Sequence, residues 1–262
     1  MTTIIANAGC QAPSCKVYVS GNLKAQRKTQ AGRTAEKRLI TAEVTSFSDL
    51  SADVVDRLEG SSIILVGMMG CGKSAVATAV GEAMQYAPLD SDTVIEQATG
   101  KKIPEIFAED GEDAFRDVES QVLEELCSYK KCIIATGGGA VMKKTNWGHL
   151  RNGVVVWLDF PVEVLAARVN ADGTEGRPVL EGDSGTAQQL TNLLEERRVM
   201  YEQADITVSF KDGDSDVAEV ARVVLDALQE RLEGDEQKQK LSTPKEDEDD
   251  GLDGLDLPTK SS

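Results

Sequence analysis

From residue 62 to residue 231 two patterns of apolar spacing alternate along the chain. Short runs rich in β-branched residues, "SIILVG" (62–67), "CIIATG" (132–137), "VVVWLD" (154–159) and "ITVSF" (206–210), read as buried strands. Between them, helical patterns predict helices over 73–85, 111–128, 161–170, 186–201 and 215–231. Strands that are apolar throughout, alternating with helices, fit a parallel sheet covered by helices on both faces. The fold class expected is α/β, without internal repeats.

Two flanking stretches depart from this pattern. The first 35 residues contain no Asp or Glu, yet carry Lys16, Lys24, Arg27, Lys28 and Arg33 among small polar residues. That composition predicts an organelle transit peptide or a disordered basic arm over 1–50, with any cleavage point between residues 38 and 51. From residue 233 the chain runs "EGDEQKQKLSTPKEDEDDGLDGLDLPTKSS", too acidic and too poor in large apolar residues to order itself. An acidic disordered tail over 233–262 is expected, and the folded domain is 51–232.

In a chain of 262 residues, 40% hydrophobic residues suffice for a real core. The formal charge of −17 argues against nucleic acid or an anionic membrane surface as the main partner. No apolar run approaches a membrane span. The five cysteines (Cys10, Cys15, Cys71, Cys127, Cys132) form no C-x-x-C pair and His149 is the only histidine. A zinc site, a disulfide framework and a His-dependent triad are disfavoured.

The stretch "ILVGMMGCGKSAVAT" carries the first chemistry. Gly67, Gly72, Lys73 and Ser74 match G-x-x-x-x-G-K-[ST] after a predicted strand and at the start of a predicted helix. Such a loop curls its N–H groups around phosphate oxygens. Lys73 would neutralise the β and γ phosphates and Ser74 would offer its hydroxyl to Mg²⁺. Cys71 lies inside the loop, where it is either redox-sensitive or a small residue that fits.

Further motifs speak to what receives the phosphate. No N-K-x-D guanine signature is evident. "LDSDTVIEQATG" places Asp90 and Asp92 two apart. On a strand they would point to opposite sides, one toward metal-bound water and one toward an acceptor hydroxyl; the alternative is a helix cap. "EDGEDAFRDVE" sets Arg116 beside Phe115 on an amphipathic helix, where an arginine is commonly a solvated charge. "IIATGGGAV" ends a strand with Gly137, Gly138 and Gly139, which permit close approach of a ligand. "NADGTEGRPVLEGDSG" reads as a mobile, lid-like loop whose Arg177 could meet the transferring phosphoryl group. "EERRVMYEQAD" follows, with Arg197, Arg198 and Tyr201.

In this order the motifs G-x-x-G-x-G-K-[ST], D-x-D, F-R, G-G-G, R-P and R-x-x-x-Y resemble shikimate kinase, over roughly residues 62–208. The wording "VGMMGCGK", "TGGGAV", the pair Asn146 and Trp147, and "WLD" is most similar to the plastid form of plants and algae. The resemblance implies a P-loop three-layer sandwich of the nucleoside-monophosphate kinase type, with five parallel strands in the order 2-3-1-4-5 and a mobile lid. It implies transfer of the γ-phosphate of ATP, with Mg²⁺, to the 3-hydroxyl of shikimate on the route to chorismate and the aromatic amino acids. It also implies the plastid stroma, small-molecule partners only, and a monomer or weak homodimer.

Carried over residue by residue, the resemblance assigns Gly70, Cys71, Gly72, Lys73, Ser74 and Ala75 to the ATP loop, and Ser74 with Asp90 to the metal. Asp92, Arg116, Gly138 and Arg197, with Gly137 and Gly139 beside them, go to shikimate. Arg177 goes to the phosphates, and Arg168 resembles an arginine preceding the lid. A pair of arginines suits the carboxylate of shikimate, and Asp92 would orient its hydroxyls and draw off a proton. The catalytic set implied is Lys73, Asp92 and Arg177. The chain departs from the family's usual wording only at Ala75, where Thr is frequent, and at "RPVL", where "RPLL" is usual. The alternatives are another small-molecule kinase, such as gluconate kinase or a nucleotide kinase, and a non-catalytic plastid relative. The retained acceptor-site charges favour the enzyme.

Overall fold

The run Ile63–Val66 becomes β1, the middle strand of the sheet, and it is inaccessible to solvent along its whole length. In the computed structural model, residues 47–172, 185–210 and 216–242 are described, with side chains as far as residue 235. Strand β2 is Ala87–Asp90, β3 Cys132–Ala135, β4 Val154–Asp159 and β5 Ile206–Ser209. They pair in the order β2-β3-β1-β4-β5, and every pairing is parallel. In register, Ile63 lies opposite Ile133 on one side and Val154 on the other. This is the fold class and strand order that the motifs imply.

Burial follows position in the sheet. β1 and β3 are buried on both faces, as central parallel strands must be. β5, at one edge, alternates buried Ile206 and Val208 with exposed Thr207 and Ser209. β2, at the other edge, contains Pro88, which an edge strand tolerates because one side of it makes no ladder bonds.

Helices α1 (Phe47–Leu58), α2 (Lys73–Met84), α3 (Ser91–Thr99), α4 (Ile103–Glu109), α5 (Gly111–Leu126), α6 (Lys144–Leu150), α7 (Val162–Asp172), α8 (Thr186–Tyr201) and α9 (Val217–Ser242), with a 3-10 turn at Ala140–Met142, are the helical elements of the described residues. α8 has the predicted bounds, and α2, α5 and α7 differ by a residue or two at an end. Helices α1, α4 and α6 are not among those that the sequence pattern predicts.

Both ends of the domain move outward from the sequence expectation. Leu50, Val54 and Leu58 form a stripe at four-residue spacing, buried against α9 and α2. A boundary at residues 50 and 51 would cut this helix, so the domain begins by Phe47. Each of those side chains contributes on the order of 2 kcal/mol through burial. At the other end α9 continues past residue 231 to Ser242. "EGDEQKQK" is built of good helix formers, and Arg231 pairs with Asp235 one turn on. The basic arm to residue 46, the loop carrying Arg177 and the acidic tail from residue 243 lie outside the described residues.

The loops that leave the carboxyl ends of β1, β2 and β3 converge at one end of the sheet. That is where ligands bind in open parallel sheets.

Candidate active site

The phosphate loop joins β1 to α2. Gly70 and Gly72 have φ of 82° and 84°, which keeps the turn tight. Gly72 is also the N-cap of α2, and no side chain caps that helix. The first N–H groups of α2 therefore face outward with no built-in acceptor, as an anion site requires. Lys73 Nζ donates to the carbonyls of Gly67 and Met68 at 2.8 and 3.0 Å and lies 3.5 Å from Cys71 Sγ. The cation thus sits over its own loop. Cys71 is only 1% exposed, which favours the packing reading of this thiol over the redox one. Ala75 is exposed on the first turn of α2.

Ser74 Oγ donates to Asp90, and Asp90 in turn accepts from the Thr93 amide at 3.1 Å. Asp90 is therefore the N-cap of α3, and the expectation of two acids on opposite sides of one strand is corrected. Strand β2 ends at Asp90, and Asp92 belongs to the first turn of the helix. The chain turns there because the Asp90 cap supplies the acceptor that starts α3. The two acids still part ways: Asp90 faces Ser74, whereas Asp92 points inward beside Gly137.

Asp92 Oδ1 is buried without a partner. Burial, with the negative charge of Asp90 added to it, pushes its pKa above the usual carboxylate range, while Lys73 pulls the other way. Across Gly137 stands Glu119 of α5, 1% exposed, whose Oε1 also lacks a partner. A Cβ built on Gly137 would lie 2.6 Å from Glu119 Oε1 and 2.9 Å from Asp92 Oδ1, so both unpaired oxygens converge on that glycine. Burial raises the pKa of Glu119, and the neighbouring Arg116 opposes the rise.

Arg116 is not the solvated charge expected of its helix. Its side chain is 17% exposed, with Nη1 donating to Glu119 at 3.1 Å and Nη2 to Glu112 at 3.0 Å. Its guanidinium packs against Gly139, with Cζ 2.7 Å from where a Cβ would stand, so that position has no room for a side chain. Arg197 of α8 is 5% exposed, donates from Nη1 to the Gly138 carbonyl at 3.2 Å, and keeps its Nε buried without a partner. Tyr201, one turn later, donates to the same carbonyl at 2.6 Å.

The structure thus brings Asp92, Arg116, Gly137, Gly138, Gly139 and Arg197 into one buried cluster. Gly138 links it to the phosphate loop, since a Cβ there would lie 3.5 Å from the Met69 amide. Arg177 lies outside the described residues. Arg168 reaches the phosphate loop from α7, donating to the Gly70 carbonyl at 3.4 Å with its guanidinium 4.6 Å over the Phe160 ring.

Glu119 and Ser91 were missed from the sequence. Ser91 accepts the Gly137 amide at 3.0 Å. Glu119 had a legible signal, for it falls midway between the buried Phe115 and Leu123 on the apolar face of α5. A carboxylate on a core stripe needs a partner, and Arg116 stands three residues earlier.

Comparison with known proteins points the same way. The profile of the family described as Shikimate kinase matches residues 69–229. The shikimate kinase of Synechococcus sp. (strain RCC307) is 49% identical over 173 residues, which is 66% of this chain and 88% of that protein. The shikimate kinase of Nostoc sp. (strain PCC 7120 / SAG 25.82 / UTEX 2576) is 44% identical over 171 residues, 65% of this chain and 92% of its own. Among solved structures, shikimate kinase from Acinetobacter baumannii in complex with shikimate superposes with a TM-score of 0.61 at 36% identity, covering 66% of this chain and 95% of that one. Shikimate kinase from Bacteroides thetaiotaomicron gives 0.59 at 30% identity, covering 66% and 98%.

Proposed function

We infer that this chain, which belongs to the shikimate kinase family, is an enzyme that transfers a phosphoryl group from ATP to shikimate. The observation that carries this reading is the buried cluster opposite the phosphate loop. It holds two arginines, one with an unused buried donor, and two carboxyl groups with unused acceptors. Shikimate, a carboxylate with hydroxyls, supplies the partners that these groups lack.

The proposed division of labour follows the geometry. The uncapped N-terminus of α2 and Lys73 hold the β and γ phosphates, and Lys73 exchanges its loop carbonyls for phosphate oxygens as ATP arrives. Arg197 and Arg116 take the shikimate carboxylate. Asp92 orients the 3-hydroxyl and accepts its proton during transfer; a pKa raised by burial suits that role. Arg177, outside the described residues, is proposed for the transferring group, and Arg168 for the nucleotide side of the phosphate loop. Cys71 and Ala75 contribute only their backbone.

A divalent cation, Mg²⁺, is proposed with the nucleotide. The donors fit it: an exposed serine hydroxyl and a half-buried carboxylate in contact are hard oxygen ligands. No cluster of three acidic, His or Cys ligands exists among the described residues. That fits Mg²⁺, which takes one or two protein oxygens besides phosphate and water. Bound there, it would neutralise charge on the phosphates. Ser74 and Asp90 then hold its place while catalysis comes mainly from positioning.

We further propose a plastid protein whose transit segment lies ahead of Phe47, followed by the kinase domain and an acidic tail. The acid-free first 35 residues and the cyanobacterial relatives support this. Fusing residues 1–46 to a fluorescent protein tests it, and diffuse cytosolic signal would overturn it. No helix among the described residues is long and apolar enough to cross a membrane.

The test of function is a coupled ADP-release assay on the full chain with ATP and Mg²⁺, supplying shikimate, gluconate or nucleoside monophosphates separately. Turnover is expected with shikimate alone. Tight ATP binding without turnover on any acceptor would return the chain to the non-catalytic reading.

A further inference from the structure

Among the described residues Tyr201 is the largest side chain with no solvent-accessible surface, and burial alone does not account for its contacts. Its ring stacks on Trp157 of β4, centroids 5.5 Å apart at 14°. Its hydroxyl donates to the Gly138 carbonyl at 2.6 Å and lies 3.6 Å from Met68 Sδ in the phosphate loop. Arg197 donates to the same carbonyl at 3.2 Å. Two donors from one helix therefore fix the direction of one peptide group.

A trans peptide sets its N–H opposite its C=O, and no peptide bond among the described residues is cis. With the Gly138 carbonyl turned toward α8, the Gly139 N–H points away from α8. Gly139 is buried, and its N–H finds no acceptor among the described residues. A buried amide donor without a partner is costly unless a ligand supplies one. The Arg116 guanidinium lies against the same glycine.

We propose that Tyr201 is a positioning residue for the acceptor, its hydroxyl holding the Gly138–Gly139 peptide so that the Gly139 N–H is presented to shikimate. This rests on the shikimate kinase reading. The phenol is well suited, because burial raises its pKa and it remains a donor at any working pH. Arg197 leaves the task incomplete: its bond to that carbonyl is the longer one, at 3.2 Å against 2.6 Å, whereas the phenol that makes the shorter one is both stacked and buried.

Tyr201→Phe keeps the ring and its stacking while removing the hydroxyl. In the full chain, the shikimate KM is expected to rise about tenfold, the size of one buried hydrogen bond, with the ATP KM within about twofold of wild type. Leu190→Ala, which loosens α8 at its other end, serves as control and should lower Tm without moving the shikimate KM. An unchanged shikimate KM in Tyr201→Phe overturns the proposal, as does an equal rise in both KM values or a similar rise in Leu190→Ala. Should Tyr201→Phe not fold, the Gly139 amide resonance of wild type decides: it shifts on adding shikimate, or the proposal fails. Absence of shikimate-dependent turnover in wild type would instead overturn the reading on which all this rests.

Discussion

The two halves of the site are built on opposite principles. The donor half is nine consecutive residues, Gly67 to Ala75, whose chemistry lies mostly in the backbone and the start of one helix. The acceptor half is assembled from α3, α5, the loop after β3 and α8, spanning more than a hundred positions, and its chemistry lies in buried, charged side chains. A phosphate needs many weak donors in a tight curve, which a short motif can encode. A small hydroxylated carboxylate needs a few groups aimed from several directions, which only a folded enclosure supplies. The acceptor half also carries a stability cost, because unpaired carboxyl oxygens are buried there in the free protein.

Three measurements bear on this contrast, beginning with the largest effect. Lys73→Met should lower kcat by roughly a thousandfold through loss of charge on the transferring group, while leaving the shikimate Kd within about twofold. A comparable loss of shikimate binding would mean that the halves are not separable. Arg116→Ala should act the other way, raising the shikimate KM roughly thirtyfold, about 2 kcal/mol, with a much smaller change in kcat. An unchanged KM would remove Arg116 from the carboxylate clamp.

The smallest effect is on stability and concerns Glu119. Burial raises its pKa from the ordinary 4.5, so the folded protein binds this proton more tightly than the unfolded chain does. The stability from this group is complete below 4.5 and is lost as pH rises through the raised folded value. Glu119→Gln does not titrate, so the difference in Tm, variant minus wild type, should become more positive as pH rises from 4.5 through the raised folded value. A flat or falling difference would show that Arg116 outweighs burial and that the acceptor half is not strained.

The glycine-rich loop was legible because its neighbours in space are its neighbours in sequence. Asp90 and Asp92 were legible as a pair, but the sequence left a shared strand and a helix cap both open, since a tetrapeptide containing Pro88 gives too short a pattern to separate a strand end from a helix start. From its helix alone Arg116 read as a surface charge, and only the family resemblance assigned it to the acceptor, because the residues that bury it, Gly139 and Glu119, come from another loop and from an acid hidden in an apolar stripe. The limits of the domain were misjudged at both ends for different reasons. α1 carries a clear stripe whose partner is the distant α9, and α9 continues on helix propensity rather than on burial.

The sequence by itself determined the α/β class, the phosphate loop and the residue types available to an acceptor, because apolar periodicity and contiguous motifs are local properties. The tertiary structure alone decided which acids share a face and that Tyr201 and Arg197 meet on one carbonyl, because burial and peptide orientation are set by partners that the chain brings from far away.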